Sequence, residues 1–143
     1  MDVDAADFII KTQNIKVITT PLEEFPFNGM KFNKIVALEV LEHLTNPSLG
    51  LSVLFDLLEP NGVLIVTTPP PYHKNLLDST HLYVLPAKCW ERLFEYAGYL
   101  NIRIIPLSLI PFLYRISKYL SLGLRISTGM PGIVSTNLII AQK

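Results

Sequence analysis

The chain has 143 residues, enough for one compact core and too few for two ordinary domains, so a single domain spanning residues 1–143 is expected. Half of the residues are apolar and 17% are charged, and 12 Lys and Arg balance 12 Asp and Glu; no overall field gathers polyanions, and nucleic acid is not an expected partner. The lone cysteine, Cys89, excludes an internal disulfide, and Met1-Asp2-Val3-Asp4 has neither the basic region nor the apolar run of a signal peptide, so a cytoplasmic protein is expected.

Ala5 to Asn14 reads as a short helix, followed by a strand at Ile15-Lys16-Val17-Ile18-Thr19 and a polar loop through Pro21, Pro26 and Gly29. Lys34-Ile35-Val36-Ala37-Leu38 is the next strand, and its nearly unbroken apolar run predicts burial on both faces, as in a parallel sheet. Asn46 followed by Pro47 is an N-cap with proline at the first helical position, and Leu51, Leu54, Phe55 and Leu58 recur behind it at helical spacing. Glu59-Pro60-Asn61-Gly62 signals a turn into a buried strand, Val63-Leu64-Ile65-Val66-Thr67, which runs into Pro69-Pro70-Pro71.

Pro86 opens a further helix with Trp90, Leu93, Phe94 and Ala97 on one face, and Gly98 stands where a left-handed C-terminal cap belongs. Cys89, beside Trp90, is expected in the core. The tail offers a strand near Asn101 to Leu107, an apolar helix near Pro111 to Leu122 and a last strand at Ile133 to Ala141. Arg103, Arg115 and Lys118, with Pro106 and Pro111, interrupt this hydrophobic region, so no uncharged stretch reaches the roughly 20 residues of a bilayer span. The helix with Phe112, Leu113, Ile116, Tyr119 and Leu120 can still pack in the core or an oligomer, cap a hydrophobic acceptor or touch a membrane surface.

The alternation is α/β throughout. In open parallel sheets ligands sit beyond the carboxyl ends of the strands. Thr19-Thr20-Pro21-Leu22, Glu39-Val40-Leu41-Glu42-His43 and Thr68-Pro69-Pro70-Pro71-Tyr72 leave three predicted strands and are expected to line one rim.

Phe32 to Leu44, Leu57-Leu58-Glu59-Pro60-Asn61-Gly62-Val63-Leu64, and Asp78-Ser79-Thr80-His81 followed by Glu95-Tyr96-Ala97-Gly98-Tyr99 together resemble, in order and approximate spacing, the class I S-adenosylmethionine-dependent methyltransferases, especially quinone-biosynthesis O-methyltransferases. The resemblance implies a Rossmann-like α/β sheet with helices on both faces, S-adenosylmethionine as cofactor and a small-molecule or lipid-like acceptor. It implies that Asp2 accepts hydrogen bonds from the cofactor ribose, with Asp4 the nearby alternative and a helix cap the structural one. It implies that Leu22 packs on the adenine, an ordinary loop anchor being the structural alternative, that Glu39 and Val40 border the cofactor, and that Pro21 stands where relatives often carry an acidic residue.

Glu39, Glu42, His43 and His81 are similar to the ligand set of metal-dependent members of this fold, which implies a divalent cation able to orient an acceptor hydroxyl. The alternatives are a carboxylate at a helix start and a His43 acting as base or spacer, with His81 a general base toward an acceptor hydroxyl. His73 reads as loop surface.

The resemblance also implies a first strand and a Gly-x-Gly loop ahead of Asp2, where only Met1 stands, and Gly-x-Gly occurs nowhere in the chain. Three expectations follow, the first favoured: a longer enzyme of which this is an incomplete domain, a complementing polypeptide, or a shortened relative that binds a partner or itself as a noncatalytic homo-oligomer.

Overall fold

The computed structural model describes residues 18–25, 29–109, 125–126 and 134–143. The helix expected at Ala5 to Asn14 and the apolar helix expected near Pro111 to Leu122 lie outside the described residues, as do Asp2 and Asp4. Of the strand expected at Ile15 to Thr19 only Ile18 and Thr19 are described, and both are irregular.

Helix α1, Pro47–Leu57, starts as its sequence requires. The Asn46 side chain accepts the Leu49 amide at 3.0 Å, and Pro47 fills the position whose missing N–H needs no partner. The cap is itself anchored: the Asn46 amide and the Thr45 hydroxyl donate to Glu23 Oε1 at 3.0 and 2.7 Å. The 3-10 turn Leu22–Glu24 is thereby tied to the start of α1. The Thr45 hydroxyl, followed by the Asn46 amide, holds the Glu23 carboxyl below its ordinary range.

Strands β1, Phe32–Leu38, and β2, Leu58–Thr68, flank α1 in sequence and pair in parallel, with Lys34 opposite Val63 and Leu38 opposite Thr67. Phe32 stands opposite Leu58, so Glu59 to Gly62 form a bulge in which Asn61 takes φ 64°. The predicted turn therefore lies inside β2 rather than ahead of it. Strands β3, Leu100–Leu109, β4, Arg125–Ile126, and β5, Val134–Gln142, complete the sheet in the order β1-β2-β5-β3-β4. β5 runs antiparallel to both its neighbours, β2 and β3.

The short helix α2, His73–Leu76, follows the proline run, and α3, Ala87–Tyr96, follows Pro86. α3 ends as Gly98 predicts. At φ 93° Gly98 donates to the Glu95 carbonyl and Tyr99 to the Phe94 carbonyl, both at 3.0 Å, while the Phe94 and Tyr99 rings meet at 5.2 Å. Tyr99 is buried, its hydroxyl donates to the Leu51 carbonyl at 3.1 Å, and burial holds its phenol well above the ordinary range.

Leu51 and Leu54 of α1 and Trp90 and Phe94 of α3 share one core with Ala37, Leu64, Val66, Ile139 and Ala141 of the sheet. Both longer described helices thus cover the same sheet face, and each such Leu or Phe contributes roughly 1.5–3 kcal/mol by leaving water. Two expectations are corrected. β1 is not buried on both faces: Ile35 and Ala37 turn toward the core, whereas Val36 and Leu38 are each 58% exposed. Among the described residues β1 is an outer strand with only β2 beside it, so an apolar sequence does not suffice to bury it. Cys89 is exposed, because its neighbour Trp90 takes the inward direction and adjacent helical residues cannot share a face. Among the described residues no helix is long and apolar enough to cross a membrane.

Candidate functional site

Because β1 and β2 are parallel, Glu39 and Thr68 emerge at the same end of the sheet, and antiparallel β5 begins there. Glu39 takes φ 53°, an uncommon conformation for a residue with a Cβ. Its amide reaches both the Thr67 carbonyl at 3.1 Å and the Thr67 hydroxyl at 3.0 Å. Its carboxylate accepts the Thr136 hydroxyl at 2.8 Å, and that hydroxyl also lies 3.0 Å from the Thr68 carbonyl. Thr67, Thr68, Thr136 and Asn137 are all buried, a polar cluster inside the mouth of the sheet.

The next turn carries the densest chemistry. Leu41–His43 is a 3-10 turn whose Leu41 is fully buried and fixes the backbone. The Glu42 carbonyl accepts the amides of Leu82 and Tyr83 at 2.8 and 3.0 Å, which docks the 78–83 loop against this turn. The Tyr83 hydroxyl donates to the Thr45 carbonyl at 3.2 Å. Asp78 folds the same loop by accepting the Thr80 amide and hydroxyl, and these bonds hold its carboxyl below the ordinary range. His81 is so carried to within 4.9 Å of His43, centroid to centroid.

Each imidazole is oriented by a backbone carbonyl: His43 Nδ1 by Thr80 at 2.8 Å and His81 Nδ1 by Asn75 at 3.1 Å. A carbonyl can only accept, so Nδ1 carries the proton in both rings and the neutral form of each leaves a lone pair on Nε2. His43 Nε2 lies 3.9 Å from Glu42 Oε1 and His81 Nε2 lies 3.9 Å from Asp78 Oδ2.

Glu42 is wholly buried and neither carboxyl oxygen has a hydrogen-bond partner. Burial pushes its carboxyl up to about 7; its own backbone amide opposes the rise, the Glu39 charge adds to it, and the two histidines oppose it. One ligand atom from each of Glu42, His43 and His81 lies within 4.8 Å of the others. One carboxylate and two imidazoles form a donor set that suits a borderline divalent cation. Without an ion the Nε2 lone pairs can accept a proton; an ion bound by both rings would occupy them.

The structure therefore brings Glu42, His43 and His81 together and leaves Glu39 out of that cluster, its carboxylate bonded to Thr136. Val40 is half-buried and packed on the core. Leu22 is also half-buried on the core, its tip close to Gly50 of α1. The rim includes the loop before α1 through the bonds from Thr45 and Asn46 to Glu23. A surface depression lined by Val63, Asn101, Arg103 and Gln142 lies toward the other end of β2. The residues that sequence reasoning missed are Thr67, Thr80 and Thr136. Thr136 had a signal, since Ser135-Thr136-Asn137 is a polar run at the head of an otherwise apolar strand.

Residues 3–104 match the family described as methyltransferase domain. The mitochondrial ubiquinone biosynthesis O-methyltransferase of Arabidopsis thaliana is 35% identical over 63 residues, 44% of this chain and 20% of that protein. The match thus spans about one fifth of the relative's length. Among solved structures, a SAM-dependent methyltransferase from Thermotoga maritima is 16% identical with a TM-score of 0.73, covering 98% of this chain and 70% of its own. Phosphoethanolamine N-methyltransferase 2 of Haemonchus contortus, in complex with S-adenosyl-L-methionine, is 14% identical with a TM-score of 0.56, covering 78% of this chain and 33% of its own. At these identities the likeness shows the fold, a Rossmann-like SAM-dependent methyltransferase sheet.

Proposed function

The chain belongs to the methyltransferase domain family, and from that membership we propose that it carries the acceptor side of a cytoplasmic enzyme that methylates a small-molecule or lipid-like acceptor with S-adenosylmethionine, as a single incomplete domain of a longer or complemented protein. The observation that carries this reading is the pair of oriented histidines beside Glu39 on the rim of the parallel strands.

The exposed Glu39 and the half-buried Val40 on that rim support cofactor binding there. Glu39 offers carboxylate oxygens to its donors and Val40 an apolar edge, with Leu22 for the adenine and Asp2, outside the described residues, for the ribose hydroxyls. Bound S-adenosylmethionine supplies an electrophilic methyl group. His43 or His81 accepts at Nε2 the proton that the acceptor loses as its new bond to the methyl carbon forms and the carbon–sulfur bond breaks. A divalent cation held by Glu42, His43 and His81, with Glu39 as the outlying member of the predicted set, would take up those Nε2 lone pairs and, in place of a histidine base, orient the acceptor hydroxyl and ease its deprotonation; the two unpartnered buried oxygens of Glu42 support this alternative. Leu76, Leu77 and Leu82 are 58%, 70% and 56% exposed around His81 and favour an apolar acceptor, including one presented at a membrane surface.

The second reading is a noncatalytic assembly protein that pairs with itself or a complementing chain along β1, favoured by the exposed Val36 and Leu38. Titration calorimetry with S-adenosylhomocysteine separates the two. Saturable heat with the wild-type chain supports the enzyme; no heat at millimolar ligand, with self-association in solution, supports assembly. A rise in thermal stability when Zn²⁺ or Mg²⁺ is added to chelated protein, lost in Glu42→Ala, tests the cation.

A further inference from the structure

We infer that Thr136 is a positioning residue that fixes the carboxylate of Glu39 on the cofactor rim. The inference rests on the proposed role of Glu39 as a cofactor-bordering residue and says how the chain prepares it. Glu39 follows the last residue of β1 at φ 53°, with its amide engaged by both acceptors of Thr67. A left-handed conformation in a residue with a Cβ persists where the surroundings over-determine it, and such positions cluster at ligand sites. The backbone is thus set, yet an exposed glutamate still has its side-chain torsions to lose on meeting a ligand.

Thr136 removes that freedom from the far side of the sheet mouth. It is 2% exposed, and its hydroxyl stands 2.8 Å from Glu39 Oε1 and 3.0 Å from the Thr68 carbonyl. The hydroxyl has one proton, which cannot serve both acceptors at once, and an ionised carboxylate is the stronger of the two. Thr136 lies in β5, held between β2 and β3, with Thr136 opposite Leu107 and the adjacent Asn137 opposite Thr68. The Glu39 carboxylate is therefore referenced to the middle of the sheet rather than to a loop. A ligand donor arriving there meets an acceptor whose ordering was completed on folding, which is how a supporting residue raises affinity without touching the ligand.

Thr136→Val keeps the branched shape suited to a strand and deletes only the hydroxyl; Thr136→Ser keeps the hydroxyl. S-adenosylhomocysteine affinity by calorimetry is expected to fall on the order of tenfold in Thr136→Val, the scale of one charge-assisted hydrogen bond, and to recover in Thr136→Ser. The carboxyl ¹³C resonance of Glu39, assigned by its loss in Glu39→Gln, is expected to move in Thr136→Val and stay in Thr136→Ser without any ligand. An unmoved resonance in Thr136→Val overturns the inference, as does wild-type affinity in that variant while Glu39→Gln has lost affinity. Wild-type affinity in Glu39→Gln, or no binding by the wild-type chain, instead overturns the role of Glu39 on which the inference stands.

Discussion

His43 and His81 face each other at 4.9 Å, each donating Nδ1–H to a backbone carbonyl, Thr80 for one and Asn75 for the other. The Thr80 carbonyl belongs to the loop that docks on Glu42, and the Asn75 carbonyl to α2 just before it. The loop and α2 together set the tautomer of both rings. For the proposed methyl transfer, His81→Ala is expected to lower kcat by about 10²-fold or more, the usual worth of a positioned base. Cofactor affinity should change little, since neither ring is assigned to the cofactor. Steady-state kinetics with a parallel calorimetric titration checks both halves.

Glu42 makes a prediction about pH. Its carboxyl sits at about 7 in the folded chain against an ordinary value of 4.5, so between these values the folded state holds a proton that the unfolded state has released. The contribution of this group is full below 4.5 and is lost as pH rises to 7, at no more than about 1.4 kcal/mol per pH unit. Denaturant titrations of chelated protein across that window should show the decline in wild type and a shallower one in Glu42→Gln. An equal slope in the two proteins would refute the assignment.

Glu23 acts in the opposite sense. Its carboxyl is held low by the Thr45 hydroxyl and the Asn46 amide, so its contribution is present above 4.5 and is lost as pH falls through the lowered value. Asn46→Ala removes the acceptor of the Leu49 amide and should destabilise the chain by about 1 kcal/mol at neutral pH. Glu23→Gln should leave the neutral-pH loss smaller and weaken the acid dependence, read from denaturant midpoints at neutral and acidic pH.

Gly98→Ala combines two costs. The residue holds φ 93°, and an added Cβ would stand 3.3 Å from the edge of the Phe55 ring. A loss of roughly 1–3 kcal/mol is expected. Trp90 is fully buried and is the sole tryptophan, so its fluorescence reports the unfolding midpoint directly.

What was legible in the sequence was local. Asn46-Pro47 and Gly98 announce their helix ends because the bonds involved span a few residues, and Glu42-His43 stands out because its neighbours in sequence are its neighbours in space. His81 could be nominated from order alone, but the bonds from Leu82 and Tyr83 to Glu42 that deliver it come from the loop's fold. Thr136 was invisible as a partner of Glu39, since the contact depends on an antiparallel strand entering beside a parallel one. Val36 and Leu38 misled because periodicity reports what a strand can bury, and their exposure depends on what stands beside β1.

β5 follows every other described strand in sequence, yet it lies between β2 and β3 and joins the two parts of the sheet. Lys143, just beyond it, donates from Nζ to the carbonyls of Phe55 and Leu58 at 2.7 and 3.1 Å and stands over the Phe55 ring. While the chain is being synthesised, the β1–β2 pair and β3 must wait as separate ribbons with open edges until residues 134–143 emerge. A message truncated before that point would yield an adhesive intermediate rather than a smaller working protein, one that cellular quality control must clear.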